Sequence, residues 1–390
     1  MTKLDHLIAE LCPDGVEHVY VGSIFNVLRG KRLTRPELDE NAEYFVYHGG
    51  LEPLGKYSDY NREAECVMII NVGASAGSVG YSQNRFWSSD GCYCLSQSNQ
   101  MISRFAYYLL MTFQNYFISR VRYAGIPTLD SGVISSTLIP LPPLPVQREI
   151  VRILDNFTEL TAELTAELTA RRKQYEYYRD ELLTFGDDVP MVKLGKIATD
   201  MYRGSGIKRD EVAETGTPCV RYGEIYTTYN IWFDNCVSFT QKGTKTFEHG
   251  DILFAITGES VDEIAKSCVY MGYEKCFAGG DIVVMKHNYN PKYISYALST
   301  ANTQAQKSKG KVKSKVVHSS IPALKEIIIP LPPLAEQERI VSILDRFDAL
   351  ANDISVGLPA EIAARKKQYE YYRDKLLTFP VKGGAAEERG

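Results

Sequence analysis

In the stretch KSKGKVKSK, Lys307, Lys309, Lys311, Lys313 and Lys315 stand at alternate positions with no acid between them. Alternate side chains of an extended segment share one side. The spacing therefore predicts a strip of five positive charges, suited to the backbone of a polyanion. Two smaller basic clusters accompany it: Arg29, Lys31, Arg32 and Arg35, then Arg203, Lys208 and Arg209. The acids Glu37, Asp39 and Glu40 dilute the first of them. A charge run is more often a solvated face, so these residues are candidates for backbone contact and nothing finer.

Signals for catalysis and for metals are weak by contrast. GASAG at 73–77 follows an apolar run but lacks the G-x-x-x-x-G-K-S/T pattern that cradles nucleotide phosphates. The six histidines are dispersed, and no Ser/His/Asp set is suggested by spacing. None of the eight cysteines forms a C-x-x-C pair; Cys92 and Cys94 stand too close for usual zinc spacing, and Cys268 and Cys276 lack a second ligand pair. They read as reduced thiols in core positions, which places the chain in the cytoplasm. Its start, MTKLDHLIAELCPDG, carries acids and no apolar core before a cleavage site, so it does not read as a signal peptide. No run is long and apolar enough to span a membrane. A net charge of −4 neither demands nor excludes a polyanionic partner.

The elements that must position these clusters are announced by a repeat. KQYEYYRD stands at 173–180 and again at 367–374. Extended, IPLPPLPVQREIVRILDNF at 139–157 matches IPLPPLAEQERIVSILDRF at 329–347, and ARRKQYEYYRDELLTF at 170–185 matches ARKKQYEYYRDKLLTF at 364–379. Each copy reads as an extended Pro-Pro segment, which delays helix formation, followed by a long helix. Ile150, Leu154, Phe157, Thr161, Leu164, Leu168, Arg171, Tyr175, Tyr178 and Leu182 recur by fours and threes, a heptad seam that predicts a coiled coil, with Thr161 and Arg171 as its weak points. The second copy is four residues longer in its middle, about one helical turn, so its seam keeps face. Gly357 and Pro359 predict a break or kink there.

The remaining sequence forms two modules of similar size, 1–145 and 186–335, each rich in short β-type runs. They lead into helices at 146–185 and 336–379, and a flexible tail occupies 380–390. The modules also echo one another: EHVYVGSIFNVLRGKRLT at 17–34 parallels PMVKLGKIATDMYRGSGIK at 190–208. The plan is module, helix, module, helix, an α+β chain capable of internal two-fold symmetry.

The order of these parts, the I-P-L-P-P-L segment, the I-V-x-I-L-D helix start, the K-Q-Y-E-Y-Y-R-D helix end and the TAEL tetrads at 161–168 resemble the specificity subunits of type I restriction-modification enzymes. The resemblance implies two target-recognition domains, each reading one half of a bipartite, asymmetric double-stranded DNA site. It implies that the two helices pack antiparallel as a ruler and dock two modification (methyltransferase) subunits, with restriction (motor-nuclease) subunits joining them. S-adenosylmethionine and ATP then belong to those partners. The chain itself has no N/D-P-P-Y/F motif to grip a flipped base, since its Pro-Pro pairs sit in LPPL; no catalytic residue is expected.

On this view the three basic clusters contact DNA. Tyr177 and Arg179, with Tyr371 and Arg373, lie off the seam and become the candidates for docking two copies of one partner, because interfaces favour Tyr and Arg. Two rivals remain: a coiled-coil scaffold that never meets DNA, and a single-chain DNA-modifying enzyme.

Overall fold

The computed structural model describes residues 2–261, 263–308, 311–313, 316–352 and 357–383. The fold mixes helices and sheets, α+β as expected.

Each module opens the same way. In the first, the strand Glu17–Tyr20 pairs antiparallel with Leu138–Leu141; in the second, Met191–Lys193 pairs antiparallel with Ile328–Pro330. A one-turn helix follows each first strand, Val21–Ile24 and Leu194–Ile197. The first module then builds a four-stranded sheet in the order Val27–Arg29, Cys92–Leu95, Cys66–Ile70, Val79–Ser82. Every residue of Cys66–Ile70 is buried, as a strand covered on both faces must be. A three-stranded sheet, Gly55–Tyr57, Tyr44–Tyr47, Phe86–Ser88, completes it. The second module has two five-stranded sheets. One runs Ala198–Arg203, Ile282–His287, Ile252–Ala255, Ser267–Tyr270, Trp232–Phe233, and the other Val212–Ala213, Ser238–Thr240, Thr217–Val220, Cys276–Ala278, Thr246–Phe247. All eight cysteines are free thiols.

The long helices start as the prolines dictate. Pro142 and Pro143 hold the chain extended until Leu144, and the buried Gln147 donates back to the Pro142 carbonyl at 2.7 Å. Gln337 repeats the bond to Pro332 at 2.8 Å. The first helix runs Leu144–Leu182, two residues earlier than its spacing suggested. The second is split as Gly357 and Pro359 predicted, into Leu334–Asn352 and Leu358–Leu376.

The chain divides into two compact units, Met1–Leu164 with Ile362–Gly390, and Thr165–Glu361. Each unit holds one module, the start of the helix that leaves it and the octamer end of the other helix. In the first, Val146, Ile150 and Leu154 share a core with Phe105 and Leu109 of the helix Ser103–Thr112, and Tyr369, Leu376, Leu377 and Phe379 close over it. In the second, Ile340 and Leu344 share a core with Tyr293 and Ile294 of the helix Pro291–Leu298, joined by Tyr175, Leu182 and Leu183. Phe157 stacks on Tyr372 at 5.6 Å in one unit, and Phe347 on Tyr178 at 6.0 Å in the other.

The expected tail begins later than 380. Val16 N–H donates to the Pro380 carbonyl at 2.9 Å, and Lys382 N–H to the Val16 carbonyl at 3.0 Å, so 380–383 is held as a backbone pair. The rest of that tail, 384–390, lies outside the described residues.

Candidate nucleic-acid interface

In the first unit the strand Val27–Arg29 edges the four-stranded sheet and ends at Gly30. A Cβ at Gly30 would stand 2.0 Å from the Ser89 carbonyl oxygen and 2.3 Å from that of Ser88, so only glycine lets the chain cross there. Beyond it Lys31 N–H donates to the Ser88 carbonyl at 2.9 Å, and Trp87 Nε1 donates to the Lys31 carbonyl at 2.8 Å. A 3-10 turn, Arg35–Glu37, follows with a capping box: Thr34 N–H donates to Glu37 Oε2 at 2.7 Å, and Thr34 Oγ1 at 2.6 Å. These bonds hold the Glu37 carboxyl below its usual range. The carboxylate is therefore committed to its own turn. Arg29, Lys31, Arg32 and Arg35 are exposed, and none makes an ion pair among the described residues.

Arg29, Arg32 and Arg35 rim a cleft of about 550 Å³ whose wall includes His48, Asn71 and Asp90. Asn71 is buried, and its Nδ2 donates to the Asp90 carbonyl at 3.3 Å. Its Oδ1 has no partner, nor does His48 Nδ1 make a hydrogen bond, although it lies 3.4 Å from Asp90 Oδ1. A buried acceptor without a donor costs stability unless something completes it.

The second unit repeats the frame. Arg203 ends its strand as Arg29 does, and at Gly204 a Cβ would lie 2.1 Å from the Gly279 carbonyl oxygen. Ser205 N–H donates to the Ala278 carbonyl at 3.0 Å. The 3-10 turn Arg209–Glu211 is closed by Lys208 N–H to Glu211 Oε2 at 3.0 Å, which lowers the Glu211 carboxyl. Here the cleft, about 490 Å³, is lined by Arg209, Arg221, Tyr222, Glu224, Gly280 and Asp281 among others. Arg203 differs from Arg29 in one respect: its guanidinium is bound to Asp281 and the Gly280 carbonyl. Of that triplet, Lys208 and Arg209 make no ion pair among the described residues.

The lysine strip requires correction. Lys307 is not on an extended segment; it ends the helix Ala301–Lys307, started by Thr300, whose hydroxyl accepts from Thr303 N–H at 3.3 Å. Its ammonium is buried and donates to the Leu298 carbonyl at 2.7 Å and Ser267 Oγ at 3.2 Å. Burial, with the nearby Arg179 charge, pushes its pKa down to about 7. Its charge is turned into the protein rather than toward a solvent-facing strip. Further on, Lys311–Lys313 is a strand paired antiparallel with Val316–His318. Lys309 and Lys315 lie outside the described residues, as do the side chains of Lys311 and Lys313.

The octamers need half a correction. Tyr177 is 65% exposed and Tyr371 61%. Each meets the next tyrosine edge-on at 5.4 Å, so the two copies present one local geometry. Arg179 and Arg373, expected beside them, instead pair with Asp180 and Asp374 at 2.8 Å and lie over the Tyr175 and Tyr369 rings. Both arginines are largely covered and serve the octamer itself.

Among the described residues, no group of three or more His, Cys, Asp or Glu could hold a metal ion. No described helix is long and apolar enough to cross a membrane.

Two like frames, each with an arginine-bearing cleft, and one octamer used twice meet a family model: the type I restriction modification DNA specificity domain matches residues 13–171 and 187–364. The chain belongs to that family of specificity subunits. The EcoR124I/EcoR124II specificity subunit of Escherichia coli is 33% identical over 310 residues, 72% of each chain. A Haemophilus influenzae protein assigned as a type I restriction enzyme specificity subunit is 30% identical over 350 residues, 85% of this chain and 88% of that one. Among solved structures, the type I S subunit from M. genitalium aligns over 93% of this chain and 96% of its own with a TM-score of 0.58 at 16% identity.

In this specificity subunit the sequence pattern left some positioning residues unnoticed. The aspartates of the two I-L-D segments pin helix to module. Asp155 Oδ1 accepts from Arg104 Nε at 2.8 Å and from the Tyr108 hydroxyl at 2.5 Å. Asp345 accepts from Lys292 Nζ at 2.7 Å and from the Tyr296 hydroxyl at 2.7 Å. The two pins match group for group. Burial and these carboxylates raise both tyrosine hydroxyl pKa values. The matching I-L-D letters were the available signal; their partners lie about fifty residues away in dissimilar sequence.

Proposed function

We propose that this specificity subunit reads a bipartite, asymmetric site on double-stranded DNA, one half with each module. The two long helices, packed antiparallel as a coiled coil with internal pseudo-two-fold symmetry, fix the distance between the halves. Two modification subunits dock on the chain and restriction subunits join that core. Methyl transfer with S-adenosylmethionine and motion with ATP belong to those partners; this chain is a non-catalytic subunit of the cytoplasm.

One observation carries the reading: each compact unit joins a module bearing an arginine-lined cleft to one copy of the same octamer. Equal octamers suit two copies of one partner, and unequal clefts suit two different half-sites. Arg29, Lys31, Arg32 and Arg35 in one module, with Lys208 and Arg209 in the other, serve as phosphate contacts. Lys309, Lys311, Lys313 and Lys315 remain candidates for the same role, and Tyr177 and Tyr371 for seating the partners.

The test is reconstitution. The purified chain alone should transfer no methyl group and bind DNA weakly, whereas its complex with two modification subunits should methylate a split sequence. Methyl transfer by the chain alone, or a complex that binds without sequence preference, would contradict the reading.

A further inference from the structure

The two clefts occupy equivalent places, and the strand registers show which of their residues correspond. Val46 lies opposite Trp87 in a parallel pair and Cys219 opposite Phe277 in another, so His48 corresponds to Arg221. In the antiparallel ladders Arg29 faces Tyr93 and Arg203 faces Val283, while Ile69 faces Tyr93 and Phe254 faces Val283; Asn71 therefore corresponds to Ile256. The carbonyl pair Ser88–Ser89 corresponds to Ala278–Gly279, which makes Asp90 the counterpart of Gly280. At the rims the frame keeps its chemistry: arginine at 29 and 203, glycine at 30 and 204, a capped turn led by arginine at 35 and 209. Inside the clefts the chemistry changes, His48, Asn71 and Asp90 lining one against Arg221 and Gly280 lining the other, while Ile256, the counterpart of Asn71, does not line its cleft.

A frame that keeps an arginine-led turn at its rim, Arg35 and Arg209, and varies its floor separates two tasks that DNA recognition keeps separate, backbone positioning and base reading. The first floor also contains an unmet acceptor. Asn71 is only 3% exposed, and its Oδ1 faces no donor, although its own Nδ2 and backbone N–H are both bonded. A base amino group at the cleft would supply the missing hydrogen, and Asn and Asp are the side chains that accept from adenine and cytosine amino groups. In the second cleft Arg221 holds Glu224 at 3.0 Å, and Glu224 in turn accepts from Ser238 Oγ at 2.7 Å. That brace fixes a guanidinium fork, the group suited to guanine O6 and N7.

We propose that the floor of each cleft determines the bases its module reads, with His48, Asn71 and Asp90 setting one half of the site and Arg221 the other. This rests on the DNA-reading function proposed above and deepens it, because it assigns specificity to residues that lie in neither lysine run nor octamer.

The experiment uses the full chain in complex with its two modification subunits. Methylated sites are mapped for the wild type and for His48→Gln, Asp90→Asn and Arg221→Gln, with thermal melting to confirm that each variant folds. Asp90→Asn or His48→Gln should relax one half-site, lowering discrimination at one position by about tenfold or more, and leave the other half unchanged. Arg221→Gln should do the converse. Folded variants that keep both half-sites, or lose affinity for all sequences equally, would overturn the inference while leaving the DNA-reading function standing. A wild-type complex that methylates no defined sequence would overturn that function itself. Should Arg221→Gln prove unfolded, Arg221→Lys, which keeps the charge to Glu224 but loses the fork, decides the second cleft by the same readout.

Discussion

In the first module Gly30 passes beneath the Ser88 and Ser89 carbonyls and leads to a cleft whose floor is His48, Asn71 and Asp90. In the second, Gly204 passes beneath Ala278 and Gly279 and leads to one whose floor has Arg221 and Gly280 instead. The pins behind them match closely: Asp155 with Arg104 and Tyr108, Asp345 with Lys292 and Tyr296. Identity is therefore graded across the molecule. It is complete in the octamers that would meet one shared partner, functional but not literal in the pins, kept at Arg35 and Arg209 on the cleft rims, and absent in the cleft floors. If the proposed reading holds, duplicated structure is kept where both halves do the same work and released where their work differs.

The largest effect should come from the helix starts. Leu154 and Leu344 occupy equivalent, fully buried positions, and truncating either to alanine should cost about 2–5 kcal/mol. Chemical denaturation of the two variants should give similar losses; a loss under about 1 kcal/mol at one position would break the equivalence of the frames. Next come the two crossing glycines. Gly30→Ala and Gly204→Ala each force a Cβ against a carbonyl oxygen and should destabilise their own module by roughly 1–3 kcal/mol, read by hydrogen exchange module by module. Protection unchanged in both would remove the close approach as the reason for glycine.

These comparisons were unevenly visible in the sequence. The helix starts, the break at Gly357 and Pro359 and the doubled octamer could all be read, because each rests on local periodicity or on proline. The lysine strip misled: alternate spacing suits a strand, but Lys307 falls within reach of a helix begun by Thr300, and its four-carbon stem lets the ammonium turn inward to Leu298 and Ser267. Arg179 and Arg373 misled for another reason. Position off the seam says nothing about the acid at the next residue, which in both octamers recruits the guanidinium. The cleft floors were invisible, since His48, Asn71 and Asp90 come from three separate segments whose meeting only the strand registers reveal.

The octamers sharpen the comparison at a smaller scale. Tyr177→Ala and Tyr371→Ala should each weaken one docking event by about 1–2 kcal/mol without lowering the melting temperature, and together should weaken both. Mass measurement of the reconstituted complex would count the partners; full occupancy by the double variant would leave the exposed tyrosines without that role.

Lys307 supplies the most specific effect. Its folded pKa, about 7, lies below the unfolded value of about 10.4, so the unfolded chain binds more protons between those values. Its burden on stability is full below pH 7 and is relieved as pH rises toward 10. Melting temperatures of the wild type and Lys307→Met should therefore shift relative to one another between pH 7 and 9, in favour of the wild type at the higher pH. The salt slope of DNA binding should not change in the variant; a slope shallower by about one unit would return Lys307 to the phosphate contacts.

The boundary between the compact units falls between Leu164 and Thr165, inside the tetrads TAELTAEL. One further TAEL there would add four residues, about 6 Å of helix at 1.5 Å per residue, with roughly 40° of residual rotation. If the helices set the distance between two independent readers, the unread gap in the methylated sequence should grow by one base pair, at most two, at about 3.4 Å each, with both half-sites unchanged. Mapping the methylated sites of the wild-type and insertion complexes side by side measures this directly. A longer gap between the same half-sites is the predicted result; an unchanged gap, or altered half-sites, would contradict the account of two modules held apart by a ruler.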